Sequence, residues 1–339
     1  MKKTPVDSDD LLKRVSRSFY LTLRILPQAI KPQLGLAYLL ARATDTVADT
    51  DRIAVARRQQ VLSDFCRSIH EACTGRTPCV PDFSEFLQPC KARLSVKDDD
   101  ELTLLEHFGT LLGVLGKFSD GDREKISAVL ETITHGQQMD LQLFHKATPS
   151  PVALATDEEL DTYTYEVAGC VGEFWTQLCL AHVFPHVKLD RKQLLTDAVR
   201  FGKGLQLVNI LRDLYEDLTR GRCYIPEQAL ARHGLVPTDL LEQNTMHHFR
   251  PLFDEYLNRA EEHLRAGWRY TTSLPFGCIR IRLACAWPLL IGMKTLRLLR
   301  QRNVLSGERI KITRLEIYLL IVKTILLYPS HKAWHRLLE

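Results

Sequence analysis

The amino-acid sequence predicts an all-α protein, folded as a helical bundle in a single domain. Apolar residues recur three and four positions apart along most of the 339 residues, which is the period of an amphipathic helix. Leu34, Tyr38 and Ala41 illustrate this spacing, as do Leu205 and Val208. The alternation of strand and helix patterns that would indicate a parallel sheet is not found.

Breaks that contain Pro or Gly divide the chain into about ten helical segments of ordinary length. Asp157, followed by two glutamates, predicts the start of one helix. We expect residues 1–302 to form the main domain and residues 303–339 to form a helical extension that packs on it. The predicted breaks are Thr74–Pro78, Lys146–Pro151, Thr219–Pro226, Gly234–Thr238, Thr272–Gly277 and Asn303–Gly307.

Composition and charge exclude several classes of protein. Lys and Arg number 45 and Asp and Glu 41, so the net charge of +4 is too small to indicate nucleic-acid binding. Neither a Gly-x-Gly-x-x-Gly segment after a strand nor a P-loop is present, so no Rossmann domain or P-loop domain is predicted. The longest apolar runs, Leu283–Met293 and Ile317–Tyr328, are too short to span a membrane.

The cysteines and the N-terminus favour a cytoplasmic protein. The nine cysteines are scattered without a Cys-x-x-Cys pair, which is typical of reduced thiols. The chain opens on charged residues rather than on the apolar run of a secretory signal. The acid-free stretch after Ile279 and the apolar run Ile317–Tyr328 also suggest a peripheral contact with a membrane surface. The sequence does not determine the oligomeric state.

Two aspartates lie four residues apart in the segment Ala41–Asp49. On a helix, this spacing places Asp45 and Asp49 on one face, about 6 Å apart. Arg42 lies three residues before Asp45 and Tyr38 lies seven before it, so both share that face. The two carboxylates repel each other, and a divalent cation between them reverses the repulsion. A single pair of this kind, however, is usually a solvated acidic face.

A second pair, Asp213 and Asp217, has the same spacing. Asn209 lies one turn before Asp213 and Gln206 lies seven residues before it, which predicts a polar stripe along an otherwise apolar helix. Such a stripe should face a cavity rather than bulk water. If the two acidic helices face each other, their carboxylates form a wall that binds Mg²⁺. The metal ligands predicted in this way are Asp45, Asp49, Asp213 and Asp217.

Arginines near both pairs indicate a ligand that carries phosphate groups. Guanidinium groups donate charge-assisted hydrogen bonds to phosphate in a fixed fork geometry. The candidates for this role are Arg17, Ser18, Arg42, Arg212 and Arg222. The residues therefore predict a Mg²⁺-dependent enzyme that acts on a diphosphate ester.

Four segments, found in the same order, resemble the squalene/phytoene synthase family of head-to-head prenyl transferases. The resemblance extends over most of the chain, and four motifs in order are far more specific than any one of them. One difference is Ala48, which stands where many squalene synthases have a glutamate. The matching segments are Ser16-Arg-Ser-Phe19, Tyr38-x-x-x-Arg-x-x-Asp-Thr-Val-x-Asp49, Tyr163-Thr-Tyr-Glu-Val-Ala-Gly-Cys-Val-Gly172 and Gln206-x-x-Asn-Ile-x-Arg-Asp-x-x-Glu-Asp217.

The resemblance implies an isoprenoid synthase-type bundle with a central cavity, in which residues 1–302 are the catalytic domain. The four aspartates would bind Mg²⁺ together with a prenyl diphosphate. Tyr163 and Tyr38 would be the hydroxyl groups near the reacting centre, and Asn209 would help to hold metal or cofactor. The residues that would bind the substrate are Arg17, Ser18, Arg42, Gln206, Arg212 and Arg222.

The implied reaction joins two farnesyl diphosphates through presqualene diphosphate, and reduction by NADPH then gives squalene. The segment Val304–Arg314 resembles the squalene-synthase segment that closes the site over NADPH, so Lys311 and Arg314 are candidate NADPH ligands. This likeness favours squalene as the product. Members of the family that do not use NADPH give dehydrosqualene, phytoene or presqualene diphosphate, and these products stay open as alternatives.

Two other classes of protein fit the sequence less well. A head-to-tail prenyl transferase or a terpene cyclase also pairs acidic motifs on helices, but it lacks the segments that begin at Ser16 and Tyr163. A non-catalytic assembly subunit should have lost aspartates, and all four are present.

Overall fold

The computed structural model describes residues 8–16, 20–88, 96–144 and 150–338. Within these ranges almost all regular structure is helical, which confirms the predicted all-α class. The described residues form two compact units, which we call unit 1 (within Met1–Gln142 and Gln177–Pro185) and unit 2 (within Leu143–Thr176 and His186–Glu339). The division at residue 302 stays a prediction. Among the described helices, none is long and apolar enough to cross a membrane.

The described part of unit 1 is built around a buried aromatic and ionic core. The ring centroids of Phe65 and Phe108 lie 4.3 Å apart. Asp122 is buried and accepts hydrogen bonds from Gln33 Nε2 at 3.1 Å and from His182 Nε2 at 2.7 Å. The helices are α1 (Ser8–Ser16), α2 (Tyr20–Ile25), α3 (Lys31–Ala48), α4 (Val55–Cys73), α5 (Val96–Glu106), α6 (Phe108–Leu115) and α7 (Asp120–Leu143).

Unit 2 contains the longest described helix, α13 (Met246–Ser273), which packs most extensively against α10 (Arg191–Arg212). A π-helix, Tyr165–Gly169, follows α8 directly. Short 3₁₀ helices cover Pro237–Leu241, Gln243–Thr245, Val304–Ser306 and Arg336–Leu338. The remaining helices are α8 (Asp157–Thr164), α9 (Cys170–His182, which ends in unit 1), α10 (Arg191–Arg212), α11 (Leu214–Thr219), α12 (Glu227–Arg232), α13 (Met246–Ser273), α14 (Ile279–Gln301), α15 (Arg314–Leu327) and α16 (His331–His335).

Local signals predicted the start of α8 correctly. The helix begins at Asp157, and the preceding Thr156 accepts a hydrogen bond from the backbone N–H of Glu159 through its side chain. A threonine at this position satisfies one of the free N–H groups of the first helical turn. The acidic first turn also interacts favourably with the helix dipole.

Extended structure that the sequence did not reveal lies just after one predicted break, Lys146–Pro151, and within another, Thr219–Pro226. Strand β1 (Val152–Ala153) pairs in parallel with strand β2 (Arg222–Cys223), with Val152 opposite Arg222. Each strand has only two residues, too few to give a sequence pattern of period two. The pair joins the chain before α8 to the chain after α11.

The segment from the π-helix to α9 crosses α10 at very short range. A Cβ atom on Gly172 would lie 2.1 Å from the carbonyl oxygen of Ala198, and a Cβ atom on Gly202 would lie 2.1 Å from that of Ala168. Each of the two crossing helical segments therefore has an alanine and a glycine four residues apart. Each glycine faces the alanine of the other segment. Side chains larger than hydrogen at 172 and 202 would force the two backbones apart.

The C-terminal segment is attached to α14 by specific contacts. The indole Nε1 of Trp287 donates a buried hydrogen bond of 2.9 Å to Thr324 Oγ1 on α15. The guanidinium of Arg282 is buried and lies 4.6 Å from the ring of Trp334 and 5.4 Å from that of Tyr328. Cation–π contacts of this kind strengthen when the cation is desolvated. They fix α15 and α16 on the body of unit 2.

We predict that Gly172→Ala lowers the free energy of unfolding by about 3 kcal/mol, because the methyl group must displace the backbone of α10. Gly113→Ala is the matched control, since no atom lies within 4 Å of a Cβ at that helical position. This control should be neutral or should stabilise α6 by up to about 1 kcal/mol. Urea unfolding of both variants measures the difference. Wild-type stability in Gly172→Ala would contradict the close crossing.

Candidate functional site

The first aspartate pair lies at the C-terminal end of α3. Asp45 is in the last turn of α3, which ends at Ala48, and Asp49 follows directly and donates its backbone N–H to the Asp45 carbonyl at 2.8 Å. The helix has no basic residue in its last turn. Because the carbonyl end of a helix carries partial negative charge, two carboxylates there are electrostatically unfavourable without a cation. The arrangement therefore favours the binding of a positive ion.

Two side chains hold the carboxylate of Asp45. Gln137 Nε2, from α7, donates to Oδ1 at 2.6 Å, and Arg42 Nη1 lies 3.4 Å from Oδ2. Arg42 also donates to Glu101 through Nη2, so its guanidinium is shared between two carboxylates. The sequence predicted Arg42 beside Asp45, but it did not predict Gln137. The only signal was a pair of glutamines on α7, of which Gln137 is buried.

The environment of Asp45 disfavours its charged form. Burial, and then the charge of Asp49, raise the pKa of Asp45 from 3.8 to about 6, although Arg42 and Gln137 act in the opposite direction. The side chain nevertheless keeps 42% of its surface accessible. A carboxylate that is crowded by protein yet keeps this much accessible surface can be reached by a ligand.

The other predicted residues of unit 1 have different outcomes. The Tyr38 hydroxyl donates a long hydrogen bond of 3.5 Å to the carbonyl of Val15 on α1. Tyr38 lies on the same helix as Asp45, seven residues before it, and the contact with α1 restrains its ring. Arg17 and Ser18 lie outside the described residues.

The second aspartate pair lies at a helix break. The sequence predicted one continuous helix through Asp213 and Asp217, and this was wrong: α10 ends at Arg212 and α11 begins at Leu214. The backbone N–H of Asp213 still bonds Asn209 at 2.9 Å, and that of Asp217 still bonds Asp213 at 2.9 Å. The helical pattern of backbone hydrogen bonds over four residues therefore continues through the break.

The predicted separation of polar and apolar positions on α10 is confirmed, whereas a cavity facing the polar stripe stays a prediction. Asn209 is exposed and Gln206 is half-buried, and Asn209 Nδ2 donates to Gln206 Oε1 at 3.4 Å. The neighbouring residues of the same turn are buried: Leu207, Val208, Ile210 and Leu211. Polar and apolar positions thus separate on α10 as the period of 3.6 requires.

Arginines accompany this second pair as well. Arg212 forms two hydrogen bonds to Asp213, from Nε to Oδ1 at 2.8 Å and from Nη2 to Oδ2 at 2.5 Å. This fork raises the pKa of Arg212 above its usual value. Arg222 lies on β2, where its pairing with Val152 fixes the backbone. Both predicted arginines therefore belong to unit 2, close in sequence to Asp213 and Asp217.

Tyr163 belongs to an aromatic cluster. Its ring stacks on Tyr224 with centroids 4.9 Å apart, and the two hydroxyl oxygens lie 3.4 Å from each other. Phe144 contacts the Tyr224 ring edge-on at 5.3 Å. Tyr224 follows directly after β2, so the cluster connects the Tyr163 segment with the segment that carries Arg222. Sequence reasoning missed Tyr224 and Phe144 because both lie outside the matching motifs.

A π-helix begins two residues after Tyr163, between α8 and α9. Wide turns of this type are uncommon and often occur at functional sites. Within it, the Tyr165 hydroxyl donates to Glu173 Oε2 at 3.3 Å. Lys203 of α10 contacts this region through an ion pair with Asp161 at 2.7 Å. These contacts, with the glycine crossing, fix the Tyr163 segment on α10.

The connector 304–313 packs against α11. Gly307 has a positive φ of 77°, and a Cβ there would lie 3.1 Å from Cε1 of Tyr215. Arg309 Nη2 lies 3.8 Å from Glu216 Oε2. Tyr215 and Glu216 stand between the two aspartates of the second pair. The connector that leads to Lys311 and Arg314, both exposed, therefore lies beside this pair.

The two aspartate pairs suit a magnesium ion that also binds water and substrate better than they suit a metal ion enclosed by protein ligands alone. Among the residues that the structure describes, no group of three or more His, Cys, Asp or Glu side chains is arranged to hold a metal ion. Mg²⁺ usually takes one or two carboxylates and completes its shell with water and substrate phosphates. Accessible carboxylate pairs near arginines meet that requirement, with the remaining ligands coming from a phosphate-bearing molecule.

We predict that Asp45→Asn stabilises the metal-free protein at neutral pH. Because the folded pKa is raised, the penalty for the charged carboxyl is absent below pH 3.8, grows between pH 3.8 and about 6, and is constant above that. The gain should be about 1 kcal/mol, since the side chain retains access to solvent. Urea unfolding with EDTA, at about pH 7.5 and again at acidic pH, measures it. Asp51→Asn, at an exposed position nearby, is the control; equal effects of both variants would argue against the repulsion.

Comparison with known proteins places these features in one family. The family model described as squalene/phytoene synthase matches residues 12–316. Squalene synthase BSS of Botryococcus braunii is 28% identical over 223 residues, which are 64% of this chain and 42% of that protein. Presqualene diphosphate synthase of Zymomonas mobilis is 27% identical over 225 residues, which are 66% of this chain and 61% of that protein. The bifunctional lycopene cyclase/phytoene synthase of Blakeslea trispora is 27% identical over 331 residues, 91% of this chain and 48% of that protein.

The matched regions span only about half the length of these relatives, from 42% to 61%.

Solved structures show the same fold. A ligand complex of TcSQS is similar with a TM-score of 0.72 and 21% identity, over 98% of this chain and 95% of that one. A dehydrosqualene synthase gives a TM-score of 0.65 and 21% identity, over 96% and 94%. Because the family model extends over most of the sequence, the chain belongs to the squalene/phytoene synthase family.

Proposed function

We propose that this chain condenses two prenyl diphosphates head to head, and that it converts farnesyl diphosphate into squalene. The observation that carries the proposal is the pair of accessible carboxylates at the end of α3, of which Asp45 is held by Gln137 and Arg42 in a position where its pKa is raised. Such an arrangement is unfavourable in the apoprotein and becomes favourable with a bound cation. A diphosphate substrate brings that cation with it.

The four aspartates Asp45, Asp49, Asp213 and Asp217 are the proposed ligands of Mg²⁺-diphosphate. The bound metal would act as a Lewis acid that neutralises charge on the leaving diphosphate. Asn209 and Gln206 would orient the same group through their amides. The proposed phosphate-binding residues are Arg17, Ser18, Arg42, Arg212 and Arg222, whose donors match phosphate oxygens.

The proposed chemistry begins when the C1–O bond of one substrate breaks and diphosphate departs. The double bond of the second substrate attacks the resulting allylic cation, and loss of one proton closes a cyclopropane ring, which gives presqualene diphosphate. Departure of its diphosphate then yields a rearranged carbocation. Water must be excluded throughout, since it would capture either cation. NADPH, when bound, would supply the hydride that completes squalene.

The Tyr163 hydroxyl is the proposed acceptor or relay for the departing proton, together with Tyr38. Tyr163 is partly accessible, and its ring is held rigidly by stacking on Tyr224. The two phenol oxygens lie 3.4 Å apart, a long hydrogen bond that would have to shorten before a proton could pass between them. The stacked rings also present π faces, which stabilise a nearby cation.

The alternative within the family is a product formed without NADPH: presqualene diphosphate, dehydrosqualene or phytoene. The packing of connector 304–313 against α11 supports squalene instead, because it brings the chain that carries Lys311 and Arg314 beside the second aspartate pair. A non-catalytic assembly subunit is disfavoured, since all four aspartates are retained.

We predict that purified protein with farnesyl diphosphate and Mg²⁺ forms squalene only when NADPH is present. Chromatography and mass spectrometry of the hydrocarbon and diphosphate products measure this. Asp213→Ala, and wild-type protein with EDTA, should give no product. Dehydrosqualene in both reactions would reject squalene and keep the head-to-head reaction, whereas no consumption of substrate in any reaction would reject the enzyme.

We predict that Lys311→Ala and Arg314→Ala each raise the KM for NADPH about tenfold, as expected for loss of one charge-assisted hydrogen bond to phosphate. At low NADPH, presqualene diphosphate should accumulate in place of squalene. Lys332→Ala, which removes an exposed lysine elsewhere in the C-terminal segment, is the matched control. Unchanged NADPH dependence in both connector variants would remove these residues from the cofactor site.

A further inference from the structure

Helix α15 exposes an apolar stripe along its whole length. Leu315 is 67% exposed, Leu319 60% and Leu326 72%. These positions recur at intervals of three and four residues, so they occupy one face of the helix. We call this face the α15 stripe; its residues are Leu315, Tyr318, Leu319, Val322, Ile325 and Leu326.

The stripe belongs to a helix that is otherwise well fixed. On the opposite face, Thr324 is buried and bonded to Trp287, and Glu316 forms an ion pair of 2.7 Å with Lys294 of α14. Thr313 begins the helix with reciprocal hydrogen bonds to Glu316. The stripe therefore faces outward because α15 is held in this orientation, and not because its position is loose.

Apolar residues make up ten of the fourteen residues of α15. A helix with so many apolar residues normally buries most of them, in a protein core or in lipid. Here only one side is buried. An apolar surface of this kind, larger than scattered single side chains, indicates a binding surface.

The charges around the stripe identify the kind of surface that it fits. Lys323 and Arg314 are exposed, and at about 100° per residue they fall at opposite edges of the stripe. Lys311, also exposed, precedes the helix. The only acidic residue of α15, Glu316, is already paired with Lys294. The stripe is therefore flanked by positive charge on both sides.

We propose that α15 lies flat on an anionic lipid bilayer, with the stripe inserted at the boundary between headgroups and acyl chains. Fourteen residues give a length of about 21 Å, which is too short to span the hydrocarbon core but suits a helix in the plane of the interface. Lys323, which has no role in the proposed reaction, extends toward lipid phosphates while its alkyl stem stays apolar. This proposal does not depend on the proposed reaction.

A second copy of the chain fits the same face less well. Two stripes packed together would bring Lys323 and Arg314 of both copies close to one another. No unpaired acidic side chain of α15 is there to compensate, since Glu316 is bound to Lys294. Anionic lipid removes this repulsion, because its phosphates neutralise the basic edges.

The test uses the full chain, without substrate, and vesicles of phosphatidylcholine alone or mixed in equal parts with phosphatidylglycerol. We expect co-sedimentation with the anionic vesicles, and weaker binding as salt increases. The double variant Leu319→Glu with Val322→Glu should bind at least tenfold more weakly. Val236→Glu, at a valine that is 52% exposed away from α15, should bind like wild type. Lys323→Gln should reduce the preference for phosphatidylglycerol.

A second measurement places the helix directly. Tyr318→Trp puts a fluorophore in the stripe, and brominated phosphatidylcholine should quench its emission in anionic vesicles. Absence of binding to every vesicle, or binding that is equal for the double variant and wild type, would overturn the proposal. Sedimentation equilibrium without lipid examines the rival occupant: a dimer that the double variant abolishes would assign the stripe to a second copy.

Discussion

The close crossing between residues 168–172 and α10 is the contact on which the rest of unit 2 depends. Carbonyl oxygens of Ala168 and Ala198 occupy the space that side chains on Gly202 and Gly172 would need. The two backbones therefore meet in one register only. That register sets the position of Tyr163, just before the π-helix, relative to α10, which ends at Arg212, directly before Asp213. Small residues thus determine where much larger functional groups lie.

The candidate site, in contrast to this close packing, contains electrostatically unfavourable contacts. The ends of α3 and α10 carry carboxylates where the helix dipole favours cations. Gln137, Arg42 and Arg212 offset part of the repulsion through hydrogen bonds, yet the pKa of Asp45 is still raised. Functional sites commonly retain such locally unfavourable arrangements, and the surrounding packing maintains them. A bound cation would relieve this repulsion.

The C-terminal segment has three distinct surfaces. The connector 304–313 contacts α11 through Gly307, one face of α15 contacts α14 through Thr324, and the opposite face is the exposed stripe. The proposed reaction and the proposed lipid contact are independent, but they suit each other physically. Substrates with long hydrocarbon chains partition into bilayers, so an enzyme held at that surface would meet them at high local concentration.

The sequence by itself determined the helical class, the start of α8 and the polar stripe that includes Asn209, because these follow from local periodicity and capping. It could not predict the strand pair, the π-helix or the bend at Asp213, since two to five residues carry no periodic signal. Tertiary structure alone supplied Gln137 for Asp45, 92 residues away, and Tyr224 for Tyr163, 61 residues away. Such partners depend on how distant helices pack, and a single sequence does not encode that packing in any local pattern.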